Sequence, residues 1–319
     1  MGLSLPCRAW LTLRVLRAKS NSAVALGLLC AVFFWGGNNT GTKLLVASWS
    51  PVWTGATRFL CAGLLLLGLL RWTQWLGAHH SPPVELRRAL WLRGGLSLAA
   101  YIIAFNWAVR FTSPSHVALY LGASPVWGLL WEALDDRRSF SVRRALAALL
   151  ALGGVAVLLW PALSASALQM RGECFGLAAS VLWTNYGRQC RRLTSSLSGA
   201  EVSAQTMWRA GLWLMPVGLL DTWEQGWPLD WPLVGIQLYC IVAGGVIAFA
   251  LWNNGLKHWP TSQVLLFNNL IPLSTMTWAH FWLGEAVTST FWAAMVLIAL
   301  GVMLGLVGAQ RAVAVSPPE

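Results

Sequence analysis

Long apolar runs, separated by short polar stretches, recur along the whole chain. A helix crosses a bilayer with about 20 mostly apolar residues. Ten runs approach that length, at 24–46, 52–70, 92–109, 115–134, 143–160, 173–189, 203–220, 232–251, 261–282 and 289–309. Several are interrupted by Gly, Pro or Asn, and a stricter hydropathy count gives nine. The pattern predicts an all-α integral membrane protein with ten transmembrane helices. One interruption stands out: the stretch FFWGGNNTGTK, residues 33–43, places two asparagines inside the first run. Polar groups at that depth must face protein or a water-filled cavity.

Charge placement tests the count. With the N-terminus inside, seventeen of the 22 Lys and Arg fall in inner segments, among them Arg8, Arg87, Arg137, Arg191 and Arg311. Only Lys43, Arg110 and Arg171 fall outside, and Arg58 and Arg209 lie within spans. Such a split is what the positive-inside rule expects, and it puts both termini in the cytoplasm. Residues 1–22 form a basic tail that sets orientation. A transit peptide is the competing reading of its three arginines and one lysine.

Composition agrees. Apolar residues make up 57% of the chain and charged ones 10%, against about 25% charged in soluble domains. The 22 tryptophans suit membrane interfaces. The net charge of +11 alternates with apolar spans rather than clustering, which argues against nucleic acid as a partner. Six scattered cysteines show no C-x-x-C pair, and the five histidines have no ligand spacing, so no metal, cofactor or disulfide framework is expected.

The two halves resemble each other. AVFFWGGN (31–38) matches ASVLWTN (179–185), pairing Trp35 with Trp183. FNWAVRFTSPSHV (105–117) matches WNNGLKHWPTSQV (252–264), Pro125 pairs with Pro272, Arg58 with Arg209, and ALGGV (151–155) with ALGVM (299–303). The offsets stay between 147 and 151. Each copy holds five spans, so the second lies upside down relative to the first. Inverted repeats are frequent in secondary transporters, with the substrate site near the midplane between the halves.

On FFWGGNNTGTK, on Arg58 after SPVWTGATR, on TSPSHVALYLGASPVW (112–127) and on PTSQVLLFNNLIPLSTMTWAHFWLGE (260–285), the chain resembles the ten-span EamA branch of the drug/metabolite transporter superfamily. The resemblance covers about 24–309. It implies two five-helix repeats, at 23–162 and 172–309, with cytoplasmic tails at 1–22 and 310–319. It also implies carriage of small metabolites, amino acids among them. In the second half a Glu stands thirteen residues after Pro272; in the first, Arg138 holds the corresponding place after Pro125.

Candidate site residues follow from polarity at depth. Asn38, beside Asn39, offers donors and acceptors to an amphoteric or hydroxylated solute; the alternative is that it only bridges helices. Asn185 mirrors it, and Trp35 and Trp183 can wall a central cavity. Arg58 and Arg209 lie about seven residues from opposite faces, roughly 10 Å deep at 1.5 Å per residue. They suit gating or a substrate carboxylate, against snorkelling or a structural ion pair. Pro125 and Pro272 each remove a backbone hydrogen bond, to Leu121 and Asn268, and suit hinges. Asn268 is the strongest candidate in the second half, and Tyr101, Asn106, Tyr120 and Asn253 are weaker ones. His116 reads as interfacial and His79-His80 as a solvated loop pair. Glu132 reads as the one carboxylate inside a span, which leaves no central proton relay.

The favoured function is a secondary carrier of a small metabolite, plausibly an amino acid, working by alternating access in a bacterial inner membrane, as a monomer or homodimer. The alternative is a sugar-phosphate or nucleotide-sugar carrier, which needs several convergent basic residues. An enzyme would need paired carboxylates or a nucleophile with its base, and the spans show neither. A non-transporting membrane protein fits the repeat poorly.

Overall fold

The computed structural model describes residues 7–74, 76, 80–135, 142–160, 167–193, 196–226, 230–258 and 267–315. It is helical, with no strand among these residues. In chain order the helices are α1 (Cys7–Ser48), α2 (Pro51–Trp72), α3 (Val84–Ala89), α4 (Leu96–Phe111), α5 (Pro114–Gly122), α6 (Ser124–Asp135), α7 (Val142–Leu159), α8 (Ala167–Leu193), α9 (Gly199–Gln225), α10 (Trp231–Tyr239), α11 (Ala248–His258), α12 (Ile271–Leu283) and α13 (Ser289–Val315). Wide π-helical turns join α3 to α4 (Leu90–Gly95) and α10 to α11 (Cys240–Ile247), and a 3₁₀ turn (Phe267–Leu270) precedes α12.

Each of the ten apolar runs falls on one helix or one broken helix, although residues 261–266 of the ninth lie outside the described residues. Among those described, Ser22–Ser48, Pro51–Trp72, Val84–Phe111 and Trp231–Gly255 are long and apolar enough to cross a membrane. The basic segment read as a tail is helical from Cys7, continuous with the first run.

Local chemistry sets the helix starts. Ser50 caps α2, accepting from the Val52 and Trp53 amides at 3.2 Å, with Pro51 in the first turn. Ser113 and Pro114 repeat the device at α5. Both prolines are pre-set for a first helical turn, where a missing N–H removes no intrahelical bond.

The same chemistry corrects the reading of Pro125 and Pro272 as kinks in continuous spans. The fourth run breaks at Ala123, and Pro125 is the second residue of α6; Pro272 is the second residue of α12. Each sits where a helix restarts. The Leu121 carbonyl, expected to be freed for solute, accepts the Ser124 hydroxyl instead.

Packing pairs the halves. α2 lies along α9, and α7 along α13. α4 packs on α8 as α11 packs on α1, and α5 meets α8 as α12 meets α1. The π turn at Leu90–Gly95 rests on α9, and that at Cys240–Ile247 rests on α2. Exchanging each run with the one five places along leaves this set of contacts unchanged.

Glycines make the self-paired crossings close. A Cβ on Gly63 would come within 2.4 Å of the Trp208 amide nitrogen, and one on Gly211 within 2.6 Å of that of Leu60. At the α7–α13 crossing, Gly154 and Gly301 face Ile298 and Ala147 in the same way. Gly301, in GVMLG, is thus used inside the chain's own bundle.

Large apolar side chains face outward, with Leu220 at 68%, Trp223 at 78% and Phe281 at 77% exposure, while Asn39, Thr42, Arg58, Asn106 and Arg209 are buried. That distribution suits lipid outside and a polar interior.

Candidate functional site: a cavity between the repeats

A cavity of about 370 Å³ lies between the halves, in the range of small-molecule sites, about 300–1,000 Å³. It gathers six of the sequence candidates from both repeats: Trp35, Asn38, Arg58, Tyr101, Trp183 and Asn268.

The polar stretch of α1 builds one wall. The Trp35 indole N–H donates to the Gly244 carbonyl at 3.0 Å, and its ring meets Phe249 edge-on at 5.3 Å. Gly37 and Gly41 admit Tyr239 and Cys240. Asn38 Oδ1 accepts from Arg58 Nη1 at 3.2 Å, and Thr42 Oγ1 accepts from the same nitrogen at 3.0 Å. Asn39 is turned to Thr275, donating at 3.0 Å. The opposite wall is α8, where Trp183 packs on Tyr101 with ring centroids 4.9 Å apart.

Two charged lining residues escaped the sequence reading. Arg188 and Arg191 were counted as inner-loop charges, yet both line the cavity. With Thr184 and Gly187 they follow Trp183 at three- and four-residue spacings in a broad stripe along α8, and that periodicity was the available signal. Arg191 is exposed and Arg58 is buried, so the lining runs from rim to floor. From Trp183 to Arg191 it spans roughly 12 Å along α8. No Asp or Glu is among the described lining residues.

Other candidates lie elsewhere. Asn106 is fully buried and donates to the Pro51 carbonyl at 2.7 Å. Asn185 donates to Ser97 at 3.3 Å. Asn253 lies against the start of α9 near Gly199. Tyr120 is buried against Gly176. Arg209 donates from Nη1 to the Gln205 carbonyl and side-chain oxygens, with its guanidinium over Trp208 at 4.2 Å and Trp91 at 5.5 Å. Pro272 borders the cavity through Gly122, whereas the Pro125 side chain lies outside the described residues. The Glu132 side chain lies outside them too.

A polar cluster stands toward the other end of α8. Glu173 is fully buried; its Oε1 accepts from the Thr112 hydroxyl at 2.5 Å and lies 2.8 Å from His116 Nδ1. Lys43 reaches across from α1 to the Thr112 and Val109 carbonyls, each at 2.8 Å. Glu132 is therefore not the sole carboxylate within the runs, and His116 contacts the buried Glu173 rather than being a merely interfacial side chain. His80 is also more than a solvated loop residue: its amide donates to Glu201 at 2.5 Å. His79 lies outside the described residues.

An apolar exterior, paired halves and a pocket between them that sets a few polar groups among aromatic walls are features of a membrane transporter, and comparison with known proteins points the same way. The EamA-like transporter family model matches twice, at residues 22–160 and 170–307, starts 148 residues apart. The chain belongs to the EamA-like transporter family and is an integral membrane protein. It is similar to "Uncharacterized transporter YwfM" of Bacillus subtilis, at 25% identity over 88% of this chain and 92% of that protein. It is also similar to a "Probable amino-acid metabolite efflux pump" of Salmonella typhimurium, at 23% identity over 88% and 93%. One solved crystal structure shares the fold with a TM-score of 0.57, covering 91% of this chain and 99% of its own at 19% identity.

Proposed function

We propose that the chain is a secondary transporter that moves a small metabolite by alternating access through the cavity between two inverted five-helix repeats. The repeats are 23–162 and 172–309, spanning the membrane ten times with both termini in the cytoplasm. The observation that carries this reading is the cavity itself: polar groups from α1 and α2 meet aromatic walls from both halves. The interchangeable helix contacts support the repeat, and the arginine and lysine distribution supports the orientation. On that orientation the exposed Arg191 rim faces the cytoplasm, with the Lys43–Thr112–Glu173–His116 cluster toward the outer side. Pro125 and Pro272, at helix restarts beside the cavity, serve as hinges.

The substrate is an amino acid or a related compound, in keeping with what the Salmonella relative's name says of that protein. A sugar-phosphate or nucleotide-sugar carrier is the second reading, and the three lining arginines favour it. The modest volume and the aromatic walls favour the first.

Uptake of labelled amino acids and a nucleotide sugar into proteoliposomes, with and without a pH gradient, tests both. Saturable amino-acid flux, lost in Asn38→Ala and Asn268→Leu, is the expected result. Flux of the nucleotide sugar alone would replace it with the second reading. Saturable flux of neither would count against both.

A further inference from the structure

We infer that Arg58 forms an anion subsite on the cavity floor that takes the carboxylate of the transported amino acid or related compound, its remaining body lying against the apolar and aromatic walls. This rests on the carrier reading above.

Arg58 is 5% exposed and lines the cavity. A buried guanidinium is costly unless paired, yet no carboxylate within the described residues lies at ion-pair distance from it. Its Nη1 donates to two neutral acceptors, Asn38 and Thr42. These hold one corner of the group. Its Nε and Nη2 have no hydrogen-bond partner among the described residues. That pair forms the edge a carboxylate meets with two parallel hydrogen bonds.

The second repeat turns its buried arginine away from the cavity, and the Arg209 Nε there has no hydrogen-bond partner among the described residues. Arg209 bonds to Gln205 on its own helix, lies over two indoles, and does not line the cavity. Arg58, equally buried, has one adjacent ring, Phe59, at 4.5 Å.

The surroundings fix the sign of the ligand. Arg188 and Arg191 join Arg58 in the lining, and no Asp or Glu is among the described lining residues. A lone ammonium would meet the Arg58 guanidinium on the floor, whereas a carboxylate is drawn to it. Trp35, Trp183, Tyr101 and Phe249 offer apolar faces to the remainder of the solute.

Four compounds with the same ring separate the charges: phenylpropanoate, phenylalanine, phenylethylamine and phenylpropanol. Binding to the purified chain is measured by titration calorimetry for wild type, Arg58→Lys, Arg58→Gln and Arg209→Gln, with melting curves as a folding check. Wild type should bind phenylpropanoate at least about tenfold more tightly than phenylethylamine. Arg58→Gln should erase that preference, Arg58→Lys keep part of it, and Arg209→Gln keep all of it. Should Arg58→Gln not fold, Arg58→Lys and the wild-type ranking decide. Equal or tighter binding of the amine would overturn the subsite, as would a preference that survives in Arg58→Gln. Binding of none of the four would overturn it too, while saturable flux in the uptake panel would leave the carrier reading standing.

Discussion

The two repeats carry the same arginine at the same place and use it differently. Arg58 of α2 reaches the cavity with two neutral acceptors at one corner. Arg209 of α9 is turned onto Gln205 and roofed by Trp208 and Trp91. The neighbouring parts diverge in step. Asn38 joins Arg58 in the cavity, whereas its counterpart Asn185 donates to Ser97. The glycine pair of one π turn, Gly244-Gly245, lines the cavity beside Asn38, whereas Gly94-Gly95 of the other packs on Thr206 and Arg209. The two halves share one framework, and the side chains around each arginine leave Arg58 lining the cavity and set Arg209 in packing.

The largest expected contrast is between alanine variants. Arg58→Ala should lower substrate flux by about tenfold or more, the scale of a lost charge-assisted pair, with little change in melting temperature. Arg209→Ala should lower the melting temperature by a few degrees through lost packing and hydrogen bonds and change flux by less than about threefold. Equal losses of flux would erase the distinction.

The π-turn glycines sharpen it. A Cβ on Gly244 would come within 2.8 Å of Asn38 Oδ1, and one on Gly94 within 2.5 Å of Thr206 Cγ2. Gly244→Ala should weaken substrate binding several-fold by displacing Asn38 from Arg58. Gly94→Ala should leave affinity unchanged and cost about 1–3 kcal/mol of stability by overpacking. Paired affinity and melting measurements separate the two.

A smaller difference concerns the tryptophans. Trp35→Phe removes the donor to the Gly244 carbonyl and should cost about 1 kcal/mol in stability. Trp183→Phe breaks no described hydrogen bond and should cost less, with any effect showing in affinity.

The smallest effect lies at the helix starts. At α2 the Ser50 hydroxyl bonds Asp221 of α9, whereas α9 starts with a reciprocal cap in which Ser198 Oγ accepts from the Glu201 amide and Glu201 accepts from the Ser198 amide. Burial opposes ionisation of Glu201, but the His80 and Ser198 amides outweigh it and hold its carboxyl below the usual range. The stability this contributes is present above the unfolded carboxylate value, about 4.3. It is lost as pH falls through the lower folded value. The wild-type melting temperature should therefore fall more steeply below about pH 4 than that of Glu201→Gln.

Much of the framework was legible in the chain. The near-constant offset revealed the repeat because duplicated spans keep their packing residues, and apolar length marked each helical segment. Six of the cavity residues were legible because polar and aromatic groups at depth have few other places to go. What escaped depended on neighbours that a linear pattern does not name. Asn106 looks like a ligand group until Pro51 is seen to accept from it. Glu173, placed at the very start of a run, turns out to be buried by Thr112 and His116 from another segment. Arg188 and Arg191 were counted as topology signals, and that masked their place in the cavity lining. The π turns left only a trace, the repeated Gly-Gly.

Gly187 offers the most direct test that the cavity is the transport site. It lines the cavity, and a Cβ there meets nothing within 4 Å, as is also true of Gly153, which is absent from the lining. With the native cysteines replaced by serine, Gly187→Cys and Gly153→Cys would be labelled with a membrane-impermeant thiol reagent, with and without saturating transported solute. Solute should slow labelling of Gly187→Cys several-fold, the reagent acting from the cytoplasmic side, and leave Gly153→Cys unchanged. Undiminished labelling of Gly187→Cys in a chain that still transports would contradict the central cavity as the path.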